Sequence, residues 1–283
     1  MRTFLAFTLG TAMLLSASIG AHAAMHIVGM GGNGPVDFGT FVEDIGRSEV
    51  IFIGDTHDDS RIHGKQLAII RALYAGNPRL AIGLEMFTTD SQRYLDDWTG
   101  GKLDEKEFVA IYARNWSYDW SLYRDLFIFC RDNHIPMVAL NVPKTIMAKV
   151  VRQGAGALDE GDRKELPPGP RWTLPPRQAD YLRRIREQAF GNAPPRIPVA
   201  NFEEAQALRN SAIAYNIAKY RQKFPGRTVV AIAGTWHAIK NGAPESLKEY
   251  GNPTYKVVLP DLVEFDWLKP TAADADYLIP RGD

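Results

Sequence analysis

The chain has 283 residues, of which 33 are lysine or arginine and 33 are aspartate or glutamate, so its formal net charge at pH 7 is zero. This balance excludes the basic footprint of a nucleic-acid-binding protein or of a binder of anionic membranes. Cys130 is the only cysteine, which excludes an intramolecular disulfide framework, and we expect it to be a buried, inert thiol.

The first 23 residues have the pattern of a secretory signal peptide. Arg2 precedes an apolar stretch that runs to Ile19, and residues 21–23 read Ala-His-Ala, a small-x-small cleavage site. No cysteine lies near this point to accept a lipid. We therefore expect residues 24–283 to form a single periplasmic or secreted domain without a transmembrane anchor.

A glycine-rich segment follows at once. Residues 29–34 read GMGGNG, which matches the G-x-G-x-x-G pattern of dinucleotide-binding loops. Only the short run MHIV precedes it and Pro35 comes directly after it, so the strand–turn–helix context of that motif is missing. We interpret the segment as a flexible entry loop.

Four apolar runs rich in β-branched residues predict buried strands, and helical patterns lie between them. The predicted strands are Val50–Ile53, Leu80–Leu84, Met137–Leu140 and Thr228–Ala233. The predicted helices are His63–Gly76, Leu103–Ala113, Trp120–Asp132 and Phe202–Phe224. Strands that alternate with helices predict an α/β fold, with a mainly parallel central sheet flanked by helices. Two late segments, Tyr255–Leu259 and Val263–Leu268, are expected to add edge strands.

Residues 166–198 interrupt this alternation. They form a proline-rich excursion with one short helix between proline clusters. The excursion carries Arg171, Arg177, Arg183, Arg184, Arg186 and Arg196. Two interpretations stay open at this point: a solvated surface segment, or a functional lid or interface.

Polar side chains end the predicted strands. Two Gly-x-x-His sequences, GDTH and GTWH, place His57 and His237 after separate strands, while Asp55, Glu85 and Asn141 end or follow strands as well. In open parallel sheets, ligands bind beyond the carboxyl ends of the strands. We expect Gly54 and Gly234 to permit sharp turns that aim both imidazoles into one site.

This group of side chains supports a metal-site hypothesis. Two imidazoles and a carboxylate, from His57, His237 and Glu85, match the ligands of a hydrolytic metal centre with an open position for water. Asp55 or His63 would then orient that water or take its proton. The alternative is that each histidine is an ordinary hydrogen-bonded loop residue, and that Glu85 pairs with an arginine or caps a helix.

The long helix predicted for Phe202–Phe224 adds a polar face. Gln206 and Asn210 lie one turn apart, Arg209 is adjacent, and apolar residues continue the same face. These side chains, with Asn141, would support the ligating residues from behind. An ordinary polar first turn is the alternative.

An aromatic segment, RNWSYDWSLYRDLF, suggests a different ligand. A phenol can serve as an axial ligand of ferric haem, and aromatic walls suit the faces of a porphyrin. The candidates are Tyr118, Tyr123 and Tyr181. Core packing explains most of these aromatic residues equally well.

The order of these motifs resembles the ChaN-like haem-binding uptake family of the Tiki superfamily, whose relatives include TraB-type proteins. The matching segments run from about Val50 to Leu247. They are IFIGDTHDD, the H-x-x-Q pattern of His63 to Gln66, LAIGLEMF, NWSYDWSLY, VALNVP, AQ-x-x-RN and IAGTWH. Members of that family commonly have glutamate where this chain has Asp55, and many are lipoproteins.

The resemblance implies two biochemistries. One is haem binding for bacterial iron uptake, with haem held between the subunits of a homodimer by tyrosine and histidine, in contact with the uptake machinery of the cell envelope. The other is a metal-dependent peptidase or esterase, with a divalent ion at His57, Glu85 and His237. We expect a haem-binding protein first and a metal-dependent hydrolase as the alternative. A scaffold used only for protein–protein contact is a third hypothesis.

Overall fold

The computed structural model describes residues 25–32, 34–191 and 196–281. The predicted signal peptide therefore lies outside the described residues. Eight strands form one sheet. They are β1 (Ile27–Gly29), β2 (Gly34–Val36), β3 (Val50–Asp55), β4 (Leu80–Thr88), β5 (Met137–Asn141), β6 (Thr228–Gly234), β7 (Tyr255–Pro260) and β8 (Tyr277–Ile279).

The strand order in the sheet is β2-β1-β8-β7-β3-β6-β4-β5. All pairs from β8 to β5 are parallel, and only β1 pairs antiparallel with its two neighbours. Every residue of β3, β4, β5 and β6 is buried, as expected for parallel strands covered on both faces. In register, Ile53 lies opposite Ile232 and Asp55 lies opposite Gly234, so β3 and β6 end side by side.

Twelve helices cover this sheet in the described residues. They are α1 (Phe38–Gly46), α2 (Ser60–Gly76), α3 (Gln92–Thr99), α4 (Glu105–Asn115), α5 (Trp120–Asp132), α6 (Lys144–Gln153), α7 (Glu160–Lys164), α8 (Pro176–Phe190), α9 (Val199–Lys223), α10 (Thr235–Ala238), α11 (Ala243–Ser246) and α12 (Phe265–Leu268). Among the residues described, no helix has the length and apolar character needed to cross a bilayer.

The two faces of the sheet carry separate hydrophobic cores. Because side chains alternate along a strand, Ile51 and Ile53 of β3 pack with helices α1 to α5, while Val50 and Phe52 pack on the opposite face. That opposite face is covered by α8 to α12, with Ile213 of α9 fully buried against it. The α/β architecture predicted from the sequence is therefore correct.

Three details of the prediction are wrong. Strand β7 lies inside the sheet, between β8 and β3, and is not an edge strand. The segment predicted as a strand at Val263–Leu268 contains the short helix α12, because its buried residues Phe265 and Leu268 are three apart while Val263 is 65% exposed. The three-residue strand β8, too short to leave a pattern in the sequence, lies between β1 and β7 and was not predicted.

The glycine-rich segment at residues 29–34 is also not simply an entry loop. Gly29 ends β1 and Gly34 begins β2, and the two strands pair antiparallel. Strand β2 forms one edge of the sheet, where Pro35 is tolerated because the outer side of an edge strand needs no backbone donor.

The proline-rich excursion packs against the rest of the chain through α8. Gln178 and Tyr181 are buried, and the Arg177 Nε donates to the buried Asp274 Oδ1 at 2.6 Å. Tyr181 donates its hydroxyl hydrogen to the same carboxylate at 3.1 Å. This part of the excursion is therefore an integral part of the fold and not a solvated segment.

Candidate functional site

Strand ends bring the predicted polar residues to one rim. Asp55 is the last residue of β3, Asn141 is the last residue of β5, and His237 lies in α10 directly after β6. Glu85 differs from the prediction, since β4 continues past it to Thr88, with a register shift against β5 between Leu84 and Thr88.

The two glycines of the Gly-x-x-His motifs act differently from the prediction. Neither has positive φ; instead His57 itself does, at 66°. A Cβ on Gly234 would lie 3.0 Å from His57 Nε2, and one on Gly54 would lie 2.8 Å from Pro260 Cδ. Both positions therefore need glycine because neighbouring groups approach closely, and His57 carries the unusual backbone conformation. Such conformations in non-glycine residues are found often at functional sites.

The first group of interacting side chains, here named the Asp55 cluster, consists of Asp55, His57, His63, Gln66 and Tyr123. Four donors reach the buried Asp55 carboxylate. They are His57 Nδ1 at 2.8 Å, Tyr123 OH at 2.6 Å, His63 Nε2 at 2.9 Å and Gln66 Nε2 at 3.2 Å. Gln66 also donates to the Gly54 carbonyl at 2.9 Å.

These contacts set the charge of Asp55 and the orientation of His57. Burial alone would raise the pKa of Asp55, but the hydrogen bonds from His57 and His63 lower it well below its usual range. Burial would lower the pKa of His57, but the hydrogen bond to Asp55 and the charges of Asp55 and Glu85 raise it overall. Because Nδ1 donates to Asp55, Nε2 of His57 is directed towards Gly234 and the neighbouring Glu85.

The second group, here named the Glu85 cluster, consists of Glu85, Arg209, His237, Asn210 and Gln178. Glu85 Oε2 accepts from the Gly234 backbone N–H at 2.7 Å. Its Oε1 lies 3.6 Å from Arg209 Nη1 and 3.8 Å from His237 Nε2. Burial would raise the pKa of Glu85, but neighbouring positive charge, which at neutral pH comes from Arg209, and the hydrogen bond from Gly234 lower it overall.

A chain of hydrogen bonds fixes the tautomer of His237. Gln178 Nε2 donates to the Trp236 carbonyl at 2.5 Å, and Asn210 Nδ2 donates to Gln178 Oε1 at 2.9 Å. The Asn210 Oδ1 is then an acceptor, so His237 Nδ1 donates to it at 2.7 Å. Burial lowers the pKa of His237 to about 4, so the ring is neutral at pH 7 and its Nε2 carries a lone pair.

A protein cation lies beside both His237 and Glu85. Arg209 Nη1 lies 3.5 Å from His237 Nε2 as well as 3.6 Å from Glu85 Oε1. A divalent ion bound to both predicted ligands would lie close to this guanidinium, whose positive charge opposes its binding, so the side chains as arranged do not favour a metal centre. Within the described ranges, no group of three or more His, Cys, Asp or Glu side chains is placed to hold a metal ion. The metal-dependent hydrolase stays a prediction.

The three candidate tyrosines lie in different surroundings. Tyr118 is 36% exposed, and its ring centroid lies 5.2 Å from that of His57 and 5.6 Å from that of Trp116. Tyr123 is buried in the Asp55 cluster, where burial and the charge of Asp55 raise its pKa. Tyr181 is also buried, and burial and Asp274 raise its pKa to about 12. Only Tyr118 among the three presents its ring at the surface beside the rim.

The residues predicted to support the site have unequal roles. Asn141 Nδ2 donates to the Glu85 carbonyl at 3.2 Å, which ties the end of β5 to β4. Arg209 and Asn210 contact His237, whereas Gln206 is half-buried and its side chain is hydrogen-bonded to none of the described residues.

Two glutamines of the site were missed as functional candidates. Gln66 was visible in the sequence only as part of the H-x-x-Q pattern of α2. Gln178 lies in the proline-rich excursion, 32 residues before its partner Asn210, and no sequence spacing indicates that contact.

Comparisons with known proteins agree with this fold. A family model described as haem-binding uptake, Tiki superfamily, ChaN matches residues 41–247. The solved structure of ChaN from Campylobacter jejuni, described as showing cofacial heme binding, superposes with a TM-score of 0.74 at 17% identity, covering 91% of this chain and 97% of that chain. Protein RETICULATA-RELATED 5, chloroplastic, of Arabidopsis thaliana is 26% identical over 136 residues, which are 44% of this chain and only 18% of that protein. The fold and the family resemblance predicted from the sequence are both confirmed.

Proposed function

This chain belongs to the haem-binding uptake family, ChaN, of the Tiki superfamily, and we propose that it binds haem at the rim formed by His57 and Tyr118 and carries it for iron uptake. The single observation that carries this proposal is the family match, which spans both Gly-x-x-His motifs and the aromatic segment. Haem is the cargo of such a protein.

Tyr118 is the tyrosine that we propose as the iron ligand. A phenol must be accessible and able to lose its proton to ligate ferric iron. Tyr118 meets the first condition, since it is exposed and its hydroxyl is hydrogen-bonded to no other described residue. Tyr123 and Tyr181 already donate to Asp55 and Asp274, and burial raises the pKa of both phenols. The donor set at the rim, a phenol beside an imidazole and the Trp116 indole, fits a porphyrin with a ferric centre.

The remaining parts of the proposal concern place and assembly. A signal peptide at residues 1–23 would export the chain, and residues 24–283 would act in the periplasm or outside the cell. A second copy of the chain would cover the exposed porphyrin face, because haem has two large apolar faces and the rim supplies one wall. Transfer of haem would then involve uptake components of the cell envelope.

A haemin titration of residues 24–283, followed by absorbance and by size exclusion, tests the proposal. We expect saturable binding with a tyrosinate-type ferric spectrum, and a shift from monomer to dimer on loading. Tyr118→Phe should remove the tyrosinate-to-iron charge-transfer band, while Tyr181→Phe, the matched control, should keep it. A flat titration with the wild-type protein would contradict haem binding. Loss of the band in Tyr181→Phe with an unchanged Tyr118→Phe would contradict the ligand assignment alone.

A further inference from the structure

The charged groups of the rim are arranged in two layers. The side chains of Glu85 and Asp55 are only 3% and 1% exposed, whereas those of Arg209 and His57 are 25% exposed each. The carboxylates therefore lie inside and the nitrogen donors lie outside. A ligand that approaches the rim meets a guanidinium and an imidazole before it meets either acid, and this order favours an anionic or hydrogen-bond-accepting group.

Arg209 has donors that no described residue uses. Its Nη1 makes the long contacts to Glu85 and His237, at 3.6 and 3.5 Å. Its Nε is buried and has no hydrogen-bond partner, and Nη2 also has no acceptor among the described residues. Buried donors in native proteins are nearly always paired, so an unpaired guanidinium edge at a rim points to an acceptor supplied by a ligand.

The unused edge of Arg209 has a defined chemical preference. The Nε–H and Nη2–H groups of a guanidinium are parallel and match the two oxygens of a carboxylate. Glu85 is the nearest competing charge, and it is held on the other side, where its Oε2 accepts from the Gly234 N–H at 2.7 Å. Asp55 is saturated by its own four donors. Neither acid therefore occupies the free edge of the fork.

We propose that Arg209 is the carboxylate-binding residue of the rim and that it holds one propionate of the bound haem. This rests on the proposed haem function and assigns the second anchor of the ligand. His57 connects the two anchors, because its ring packs against Tyr118 and its Nε2 faces Gly234 and Glu85 of the Arg209 side. Iron and propionate would then be held at opposite sides of the same imidazole.

The test compares the affinities of two ligands for two proteins. Haemin and haemin dimethyl ester, in which both propionates are esterified, are each titrated into residues 24–283 as wild type and as Arg209→Lys. Lysine keeps a cation beside Glu85 but loses the planar fork. We expect wild type to bind haemin about tenfold more tightly than the ester, and Arg209→Lys to lose about that tenfold for haemin while its affinity for the ester stays within about twofold.

The comparison of haemin with its ester needs only the wild-type protein, so it remains informative even if Arg209→Lys does not fold. Arg61→Lys is the matched control, since Arg61 lies in the first turn of α2, is paired with Asp59 and is largely exposed. Equal affinities of wild type for haemin and its ester would overturn the assignment of Arg209 and leave haem binding intact. Binding of neither ligand would instead reject the haem function, and with it the propionate.

Discussion

The Asp55 cluster and the Glu85 cluster contain similar side chains, but the two carboxylates accept different numbers of hydrogen bonds. Each has a buried carboxylate and a Gly-x-x-His histidine. Asp55 receives four hydrogen bonds between 2.6 and 3.2 Å. Glu85 receives one short hydrogen bond from Gly234, while its contacts to Arg209 and His237 are 3.6 and 3.8 Å long.

The pKa values of the two histidines are shifted in opposite directions. The pKa of His57 is raised, because its ring donates directly to the ionised Asp55, whereas that of His237 is lowered to about 4, because burial disfavours the charged form of its ring. The saturated Asp55 cluster therefore acts as a rigid support for His57. In the Glu85 cluster, the Arg209 Nε and Nη2 groups have no acceptor among the described residues, so this is the part of the rim able to gain a partner.

The largest predicted effect is on the saturated cluster. Asp55→Asn should lower the free energy of unfolding by about 3–5 kcal/mol, because the neutral amide removes the charge that balances His57 and brings donors of its own against the existing ones. Urea unfolding of both proteins measures this change. Asp58→Asn, at an exposed neighbouring position, is the control and should change stability by less than about 0.5 kcal/mol. Similar losses in both variants would contradict the special role of Asp55.

The two histidines should give opposite pH dependences of stability. His237 has a depressed folded pKa of about 4, so the stability it contributes is present above its unfolded pKa of about 6.5 and is lost, by about 3 kcal/mol, as the pH falls towards 4. His57 has a raised folded pKa, so its contribution is present below about 6.5 and is lost as the pH rises through the folded value.

Ring-proton NMR titration checks both histidines directly, with His237→Gln and His57→Gln used to assign the signals. We expect one ring to titrate above the ordinary histidine pKa and one to stay neutral down to about pH 4. If His57 and His237 both titrated with the ordinary histidine pKa, the two clusters would not differ in the way described.

A smaller effect is expected from the amide chain behind His237. Gln178→Ala should cost about 1–3 kcal/mol, because it leaves the buried Asn210 amide and the Trp236 carbonyl without partners. Gln188→Ala lies in the same helix at an exposed position and should be neutral within about 0.5 kcal/mol. Chemical denaturation of the two variants gives the comparison. Equal stability of both variants would mean that α8 does not support His237.

The smallest effect on stability is expected at Tyr118. Because its hydroxyl group is bonded in neither cluster, Tyr118→Phe should change the free energy of unfolding by less than about 0.5 kcal/mol while altering the haem spectrum. Tyr123→Phe should do the reverse, with a loss of about 1.5–3 kcal/mol from the hydrogen bond to Asp55 and no change in the type of spectrum. A large stability loss in Tyr118→Phe would place that residue in the framework of the site.

Local sequence patterns were enough to predict much of the fold. The runs at β3, β4, β5 and β6 are continuously apolar because both faces of a parallel sheet are covered, and this signal survives in the sequence alone. The strand predicted for Val263–Leu268 is wrong because the buried apolar residues Phe265 and Leu268 are three positions apart, which is a helical spacing and not the alternation of a strand. The three residues of β8 were too few for any period to register.

The sequence by itself indicated that Asp55, Asn141 and His237 reach the rim, because a polar residue at the end of a parallel strand emerges at the carboxyl edge of the sheet wherever that strand lies. It also carried the family resemblance, through the order of short motifs. Only the tertiary structure decided what each side chain does there. Asp55 and Tyr123 are 68 residues apart, and Gly234 and Glu85 are 149 apart, yet these contacts set the charges at the rim. Charge state depends on burial and on partners in space, and neither is written in the local sequence.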